Sequence, residues 1–221
     1  MANLAQLRIL EGLDGFLLVD KPAGFSFSTV VKSVKRKFNL IKVGHGGSLD
    51  AMASGLLILL LNDANKFVGE VMGADRAYTG VMRLGGTTDT GDRYGRPLEL
   101  STPPMPPADA RGDIFQTEPR FCSVRKEGSA GYEIADTGEH SQFLAHIYRF
   151  ELGDSGEFSL SASKGLLPRA LAQDLGATLM SLRRTRIGRF SVEEAIPFDR
   201  LLETDPADFA AMVMPLSSAL K

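Results

Sequence analysis

Residues 43–55 read VGHGGSLDAMASG, and the apolar run LLILLL follows directly. One carboxylate, Asp50, therefore stands at the mouth of what the flanking residues predict to be core. A buried ionised carboxylate is costly unless it is paired, so Asp50 either caps local structure or is held for chemistry. The neighbouring glycines suit a loop that cradles phosphate through backbone N–H groups. The stretch lacks the Lys-Ser/Thr ending of a P-loop and the spacing of a dinucleotide fingerprint. A hydrolase-like trio of Ser48, His45 and Asp50 has nothing in the sequence to fix its geometry. Asp89 and Asp92, in TDTGDRYG, lack the other ligands of a calcium loop and read as turn residues. Lys164 and Arg169, in SKGLLPR, flank a predicted strand-to-helix junction and by themselves read as surface cations. No Cys or His cluster has metal-site spacing.

The elements that must position these residues follow from pattern. Gly15–Val19 (GFLLV) reads as a short buried strand ended by Asp20-Lys21-Pro22. In STVVKSVKRKFN, Val30, Val31, Val34 and Phe38 share a helical stripe, with Lys32, Lys35 and Arg36 off it. Ser28 or Thr29 is expected to cap that helix. Leu56–Leu61 predicts a second buried strand, and ANKFVGEVMG a helix. Alternation over Ala77–Gly85 predicts a strand with Tyr78, Gly80, Met82 and Leu84 on one face. GGTTDTGDRYG is turn-rich and PPMPP a stiff linker. Residues 112–141 are polar and weakly patterned, and read as an inserted element. QFLAHIYRFEL and EFSLSAS predict a hairpin around residues 153–156. A helix starts near Pro168 and carries Leu171, Leu175 and Leu179; another is expected in PADFAAMVM. Strand pairs mixed with helices predict an α+β fold with a mainly antiparallel sheet.

Composition narrows the class. The chain has 221 residues, 43% hydrophobic and 24% charged, which predicts a soluble, globular protein of one domain with an insertion, or two small ones. The longest apolar run is far too short to span a bilayer, and the N-terminus has no signal-peptide pattern. A single cysteine, Cys122, fits a cytoplasmic location. Net charge is -2, yet residues 1–49 hold seven Lys and Arg against three acids, and RRTRIGR adds Arg183, Arg184, Arg186 and Arg189. Two basic patches on a mildly acidic chain could form one face for a polyanion, or could be solvated helix faces.

The combination is more specific than its parts. GFLLVDKPAGFSFSTVV, GHGGSLDAMASGLLIL, the A-Y-T strand, LGGTTDTGDRYG, SLSASKGLLPRALAQDLG and LRRTRIGRFSVEEAI occur in that order. The series resembles the B family of tRNA pseudouridine synthases (TruB type), over about residues 15–202. The resemblance implies a pseudouridine-synthase fold: a central, mainly antiparallel mixed sheet flanked by helices, with residues 112–141 as a thumb-like, RNA-clamping insertion. It implies one catalytic domain over 1–221, without the C-terminal RNA-binding module of many relatives. It implies isomerisation of the T-loop uridine of tRNA without metal or cofactor. The partner is then the tRNA T-arm, with no membrane and no obligatory protein partner, and the protein a monomer.

The same resemblance assigns roles. Asp50 is the carboxylate near C1′ or C6; whether it attacks, or stabilises charge while a proton leaves C2′, stays open. Arg169 is its charge partner, and Tyr78 stacks on the flipped base. Leu182 supplies apolar packing in the pocket, and His45 inserts into the T-loop. Lys21, the basic helix with Lys32, Lys35 and Arg36, and Lys164, Arg183 and Arg184 meet the RNA. Three positions depart from the family pattern: Gly46 stands where Thr is usual, Ala51 where Pro is usual, and Leu167 where a Tyr normally helps hold the base. They keep two alternatives open, a catalytically weak RNA-binding or folding protein of the same fold, and a synthase acting on another structured RNA.

Overall fold

A strand that reads SGLLILLL can only be stable with both faces covered. A computed structural model of the chain describes residues 12–99, 104–117, 122–125, 132–135 and 142–219. In chain order the strands are β1 (Gly15–Lys21), β2 (Val43–His45), β3 (Ser54–Leu61), β4 (Arg76–Leu84), β5 (Thr87–Thr88), β6 (Pro97–Leu98), β7 (Gly112–Thr117), β8 (Cys122–Arg125), β9 (Tyr132–Ala135), β10 (Gln142–Leu152), β11 (Glu157–Ala162), β12 (Ala177–Ile187), β13 (Phe190–Ser191) and β14 (Ile196–Pro197). The helices are α1 (Phe27–Lys37), α2 (Val68–Gly73), α3 (Pro168–Asp174), α4 (Phe198–Glu203), α5 (Pro206–Phe209) and α6 (Leu216–Ala219), with short 3-10 turns between. The sheet is mixed and mainly antiparallel, and the fold is α+β, as expected. The chain divides into two compact units, residues 1–74 with 183–221, and residues 75–182. The division falls inside β12.

In the first unit β3 is central. It pairs antiparallel with β1, from Gly15 opposite Leu61 to Lys21 opposite Gly55. Beyond β1 lies β14, parallel; β3 also pairs with β2 and, in parallel, with Arg183 and Arg184 of β12. Leu56 to Leu61 are fully buried, which is why the run does not alternate. On one face Phe16, Leu18, Leu56, Ile58 and Leu60 pack with Val71, Ile187, Phe190 and Val192. Leu17, Val19, Leu57 and Leu59 on the other face are buried too. Helix α1 buries Phe27, Val30 and Val34 and leaves Lys32, Lys35, Arg36 and Lys37 exposed. Its cap is Ser26, whose hydroxyl accepts from the Thr29 N–H at 3.0 Å, ahead of the expected Ser28 or Thr29.

The second unit is a meander. β4, β11, β10 and β7 pair antiparallel in that order, and β4 also neighbours β12. Tyr78 and Met82 of β4 are buried as alternation predicts, whereas Leu84, at the strand end, is exposed. Within the expected insertion over 112–141, residues 112–117 form a sheet strand, with Ile114 and Gln116 turned inward. A β8–β9 hairpin follows; residues 118–121, 126–131 and 136–141 of the expected insertion lie outside the described residues. Helix α3 begins at Pro168, where a missing N–H costs nothing. Leu179 belongs to β12 and not to that helix, since Gly176 turns the chain at φ +61°. The last expected helix is broken into α5 and a 3-10 turn. Among the described residues no helix is long and apolar enough to cross a membrane.

Candidate active site

Asp50 sits in the loop between β2 and β3, half-buried, and its carbonyl accepts from the Ala53 N–H at 3.1 Å. The loop is clamped from several sides. Arg184, 2% exposed, donates to the main-chain oxygens of Ser48 (2.9 Å), Gly47 (3.2 Å) and Leu56 (2.8 Å). The Gly46 N–H donates to the Ile58 oxygen at 2.8 Å, and the Gly24 N–H to the Ala51 oxygen at 2.7 Å. The last bond ties DKPAGFS to the Asp50 loop. Gly55, at φ +105°, lies so close to the Arg184 backbone that a Cβ would stand 2.8 Å from the Arg184 nitrogen. Only glycine lets these strands meet there.

Lys21 lies opposite Gly55, and Gly55 opposite Arg184, so a buried lysine and a buried arginine flank one glycine in a single row. The Lys21 ammonium donates to the oxygens of Phe25 (2.7 Å) and Pro22 (3.0 Å). Its pKa is lowered to about 8, chiefly by burial, with the Asp50 charge opposing that shift and Arg184 adding to it. These facts correct two expectations. Lys21 and Arg184 are not surface contacts for phosphate, because both are buried and their donors face main-chain oxygens. Arg184 holds the Asp50 loop by its main chain, and Lys21 lies close enough for its charge to interact with that of Asp50. Arg183 forms a bidentate pair with Asp20, at 3.0 and 2.7 Å, on a partly exposed edge.

His45 ends β2. Its Nδ1 accepts from the Gly47 N–H at 3.3 Å, which leaves the proton on Nε2, and its ring packs 4.9 Å from that of Phe27. Gly46 explains one departure from the family pattern. A Cβ there would overlap Val71 Cγ1 and come within 3.3 Å of Val71 Cβ. Val71, 6% exposed, occupies the volume that a threonine at position 46 needs. The structure gives no account of Ala51 in place of proline.

In the second unit Tyr78 is 5% exposed, opposite Leu160 of β11. Leu182 is buried and Lys164 is exposed at the turn before α3. Arg169 stands one residue inside α3, and its Nη1 donates to the Thr90 oxygen at 2.9 Å. The TDTGDRYG stretch is a turn, as expected, and it serves Arg169. Gly91, at φ +74°, lets the loop approach the helix start, where a Cβ would stand 2.8 Å from the Arg169 oxygen. Sequence reasoning missed Gln116. This fully buried side chain accepts from the Leu167 N–H at 3.0 Å and donates to the Leu167 oxygen at 3.3 Å, two residues before Arg169. The alternation Ile114-Phe115-Gln116 was the available signal, obscured by its polar setting. Asp50, His45, Lys21 and Arg184 thus share the first unit, and Tyr78, Arg169, Lys164 and Leu182 the second.

Comparison with known proteins places the chain in a family. A family model described as TruB family pseudouridylate synthase (N terminal domain) matches residues 35–163. A protein named tRNA pseudouridine synthase B from Aromatoleum aromaticum is 38% identical over 218 residues, covering 89% of this chain and 70% of that protein. One of the same name from Bordetella avium is 35% identical over 220 residues, covering 89% of this chain and 90% of that protein. Among solved structures, a Cbf5–Nop10–Gar1 complex matches with a TM-score of 0.68 at 23% identity, over 96% of this chain and 63% of the other. The archaeal box H/ACA Nop10–Cbf5 complex matches with a TM-score of 0.66 at 21% identity, over 97% of this chain and 63% of the other. At that identity the two structures speak for the fold.

Proposed function

The chain belongs to the TruB family of pseudouridylate synthases, and from that premise we propose that it isomerises the T-loop uridine of tRNA to pseudouridine. The observation that supports this reading most is the Asp50 loop. The Asp50 carboxylate is carried on a backbone clamped by Arg184, within reach of the Lys21 charge, and inside a family match over residues 35–163. In the reaction the C1′–N1 bond breaks, the uracil turns, a C1′–C5 bond forms, C5 gives up its proton and N1 takes one up, so that no atom is gained or lost. The group required is an anion held in place at the reacting carbon, because a preorganised charge need not be reoriented during the step. Asp50 is assigned that role. Arg169 is assigned as its charge partner, Tyr78 as the surface on which the extruded base stacks, and Leu182 as apolar lining. A loop base must leave its stack to be reached. His45, at the end of β2, is assigned to the RNA side of the loop. Lys32, Lys35 and Arg36 of α1, with Lys164 and Arg183, are assigned to phosphates. The whole chain is read as one catalytic domain, with about residues 112–141 as its RNA-clamping insertion. It is inferred to work in the cytoplasm as a monomer.

The test is to incubate the pure protein with an unmodified T-arm stem-loop and map pseudouridine. Modification at the loop uridine is expected, and Asp50→Asn is expected to abolish it. Arg169→Ala should lower turnover at least a hundredfold while RNA affinity stays within a fewfold, because phosphate contacts remain. Tight binding without modification would identify instead an RNA-binding or folding protein of this fold. Modification confined to another RNA would change the substrate.

A further inference from the structure

The loop that holds Arg169 has an outer side that the mechanism does not use. Read as sequence, Asp89-Thr90-Gly91-Asp92-Arg93-Tyr94-Gly95-Arg96 is neutral, with two acids and two bases. Folded, it is polarised. Asp92 is buried; its Oδ1 accepts from the Thr90 hydroxyl at 2.8 Å and the Tyr94 N–H at 2.9 Å. Asp89 Oδ1 accepts from the Arg96 N–H at 2.8 Å. Asp92 is thus turned into the loop, and Asp89, half-buried, is held by one oxygen to the loop's own backbone. Arg93, Tyr94 and Arg96 are left facing solvent.

Tyr94 is 68% exposed even with the Arg93 guanidinium 5.0 Å from its ring centroid and donating to its hydroxyl at 3.0 Å. An aromatic ring this exposed on an unanchored loop would be unremarkable. This loop is anchored. The Arg93 N–H donates to the Leu179 oxygen at 3.1 Å, the Leu179 N–H to the Gly91 oxygen at 3.0 Å, and the Thr88 hydroxyl to the Asp92 oxygen at 2.7 Å. Gln173 of α3 adds a bond to the Thr88 oxygen at 2.8 Å. A fixed aromatic ring beside two cations meets the needs of an unpaired base and its phosphates, with little ordering cost on binding.

We propose that Arg93, Tyr94 and Arg96 form a docking platform for the RNA substrate, with Tyr94 stacking on an unpaired base and the two guanidiniums meeting the neighbouring phosphates. The proposal rests on the reading of RNA as substrate. Its inner side bonds Arg169 through Thr90, so docking on the tip and placement of Arg169 share one rigid loop.

The experiment uses the full chain and an unmodified T-arm stem-loop. Tyr94→Ala is expected to raise both Kd and KM about tenfold, the loss of one stacked base, with kcat at saturating RNA within about twofold. Tyr94→Phe keeps the ring and should restore Kd and KM to about wild-type values. Arg93→Ala with Arg96→Ala should lower the slope of log Kd against log salt by roughly 1 to 2. Melting curves check that each variant is folded. Unchanged Kd and KM in Tyr94→Ala, with an unchanged slope in the double variant, would overturn the platform even if the wild type modifies the RNA. A wild type that binds but does not modify overturns the functional reading and leaves the binding arms decisive for the platform. A wild type that does not bind overturns both.

Discussion

The charged neighbours of Asp50 are turned to the backbone. Lys21 and Arg184 carry charges that could meet RNA, yet both turn inward and hold main-chain oxygens. Removing such a donor leaves buried oxygens unsatisfied, at about 1–3 kcal/mol each, so Arg184 defines the Asp50 loop as much as its glycines do, and Lys21 the turn over residues 22–25. Gly46 shows how a departure from the family pattern is absorbed. Val71 fills the space above it, and a larger residue at 46 must displace a buried side chain. Gly46→Thr is therefore expected to destabilise the protein by about 1–3 kcal/mol. In Val71→Ala, which opens that space, Gly46→Thr should cost less, with a coupling of about 1 kcal/mol or more. Chemical denaturation of the four proteins in the cycle checks this; strictly additive effects would show that Val71 is not the compensating residue.

Elements carry these residues by non-local ties. Helix α3 is too short to hold Arg169 by its own hydrogen bonds. Gln116 of β7 grips both backbone groups of Leu167 at its start, and the Thr88–Asp92 loop grips its outer side. Gln116→Ala leaves two part-buried groups unpaired and frees the helix start. We expect kcat to fall at least tenfold with KM for the stem-loop within about twofold, since Gln116 touches no RNA and acts through Arg169. Gln116→Glu, which still accepts from the Leu167 N–H, should recover part of kcat. Equal rises in KM would point to a general loss of fold. The β7 strand was hidden at the sequence level because its face alternates Ile, Phe and Gln in a polar stretch. Only pairing with β10 shows Gln116 to be inward. The β10–β11 hairpin, by contrast, was plain from alternation on both sides of a glycine-bounded turn.

For the whole molecule, a net charge of -2 hides a sorting of charges by direction. Lys32, Lys35 and Arg36 line the outer face of α1, and Arg93 and Arg96 the outer side of the Arg169 loop, while Asp92 is turned inward. Changing Lys32, Lys35 and Arg36 together to Ala should weaken stem-loop binding and flatten its dependence on log salt by roughly 2, leaving kcat at saturation unchanged. Filter binding from low to high salt checks it, and an unaltered slope would remove α1 from the interface. By itself the sequence determined the alternating and continuous strands, the amphipathic helix α1, the glycine-marked loops and the ordered motifs that resemble the TruB family. Those signals are local or serial, and each is carried by residues a few positions apart. The tertiary structure alone decided which charges face inward. Lys21, Gly55 and Arg184 form one row only because three strands pair in a given register, and Lys21 and Lys32 cannot be told apart by residue type. Burial is set by what another part of the chain lays against a side chain, and that contact is settled only when the strands meet.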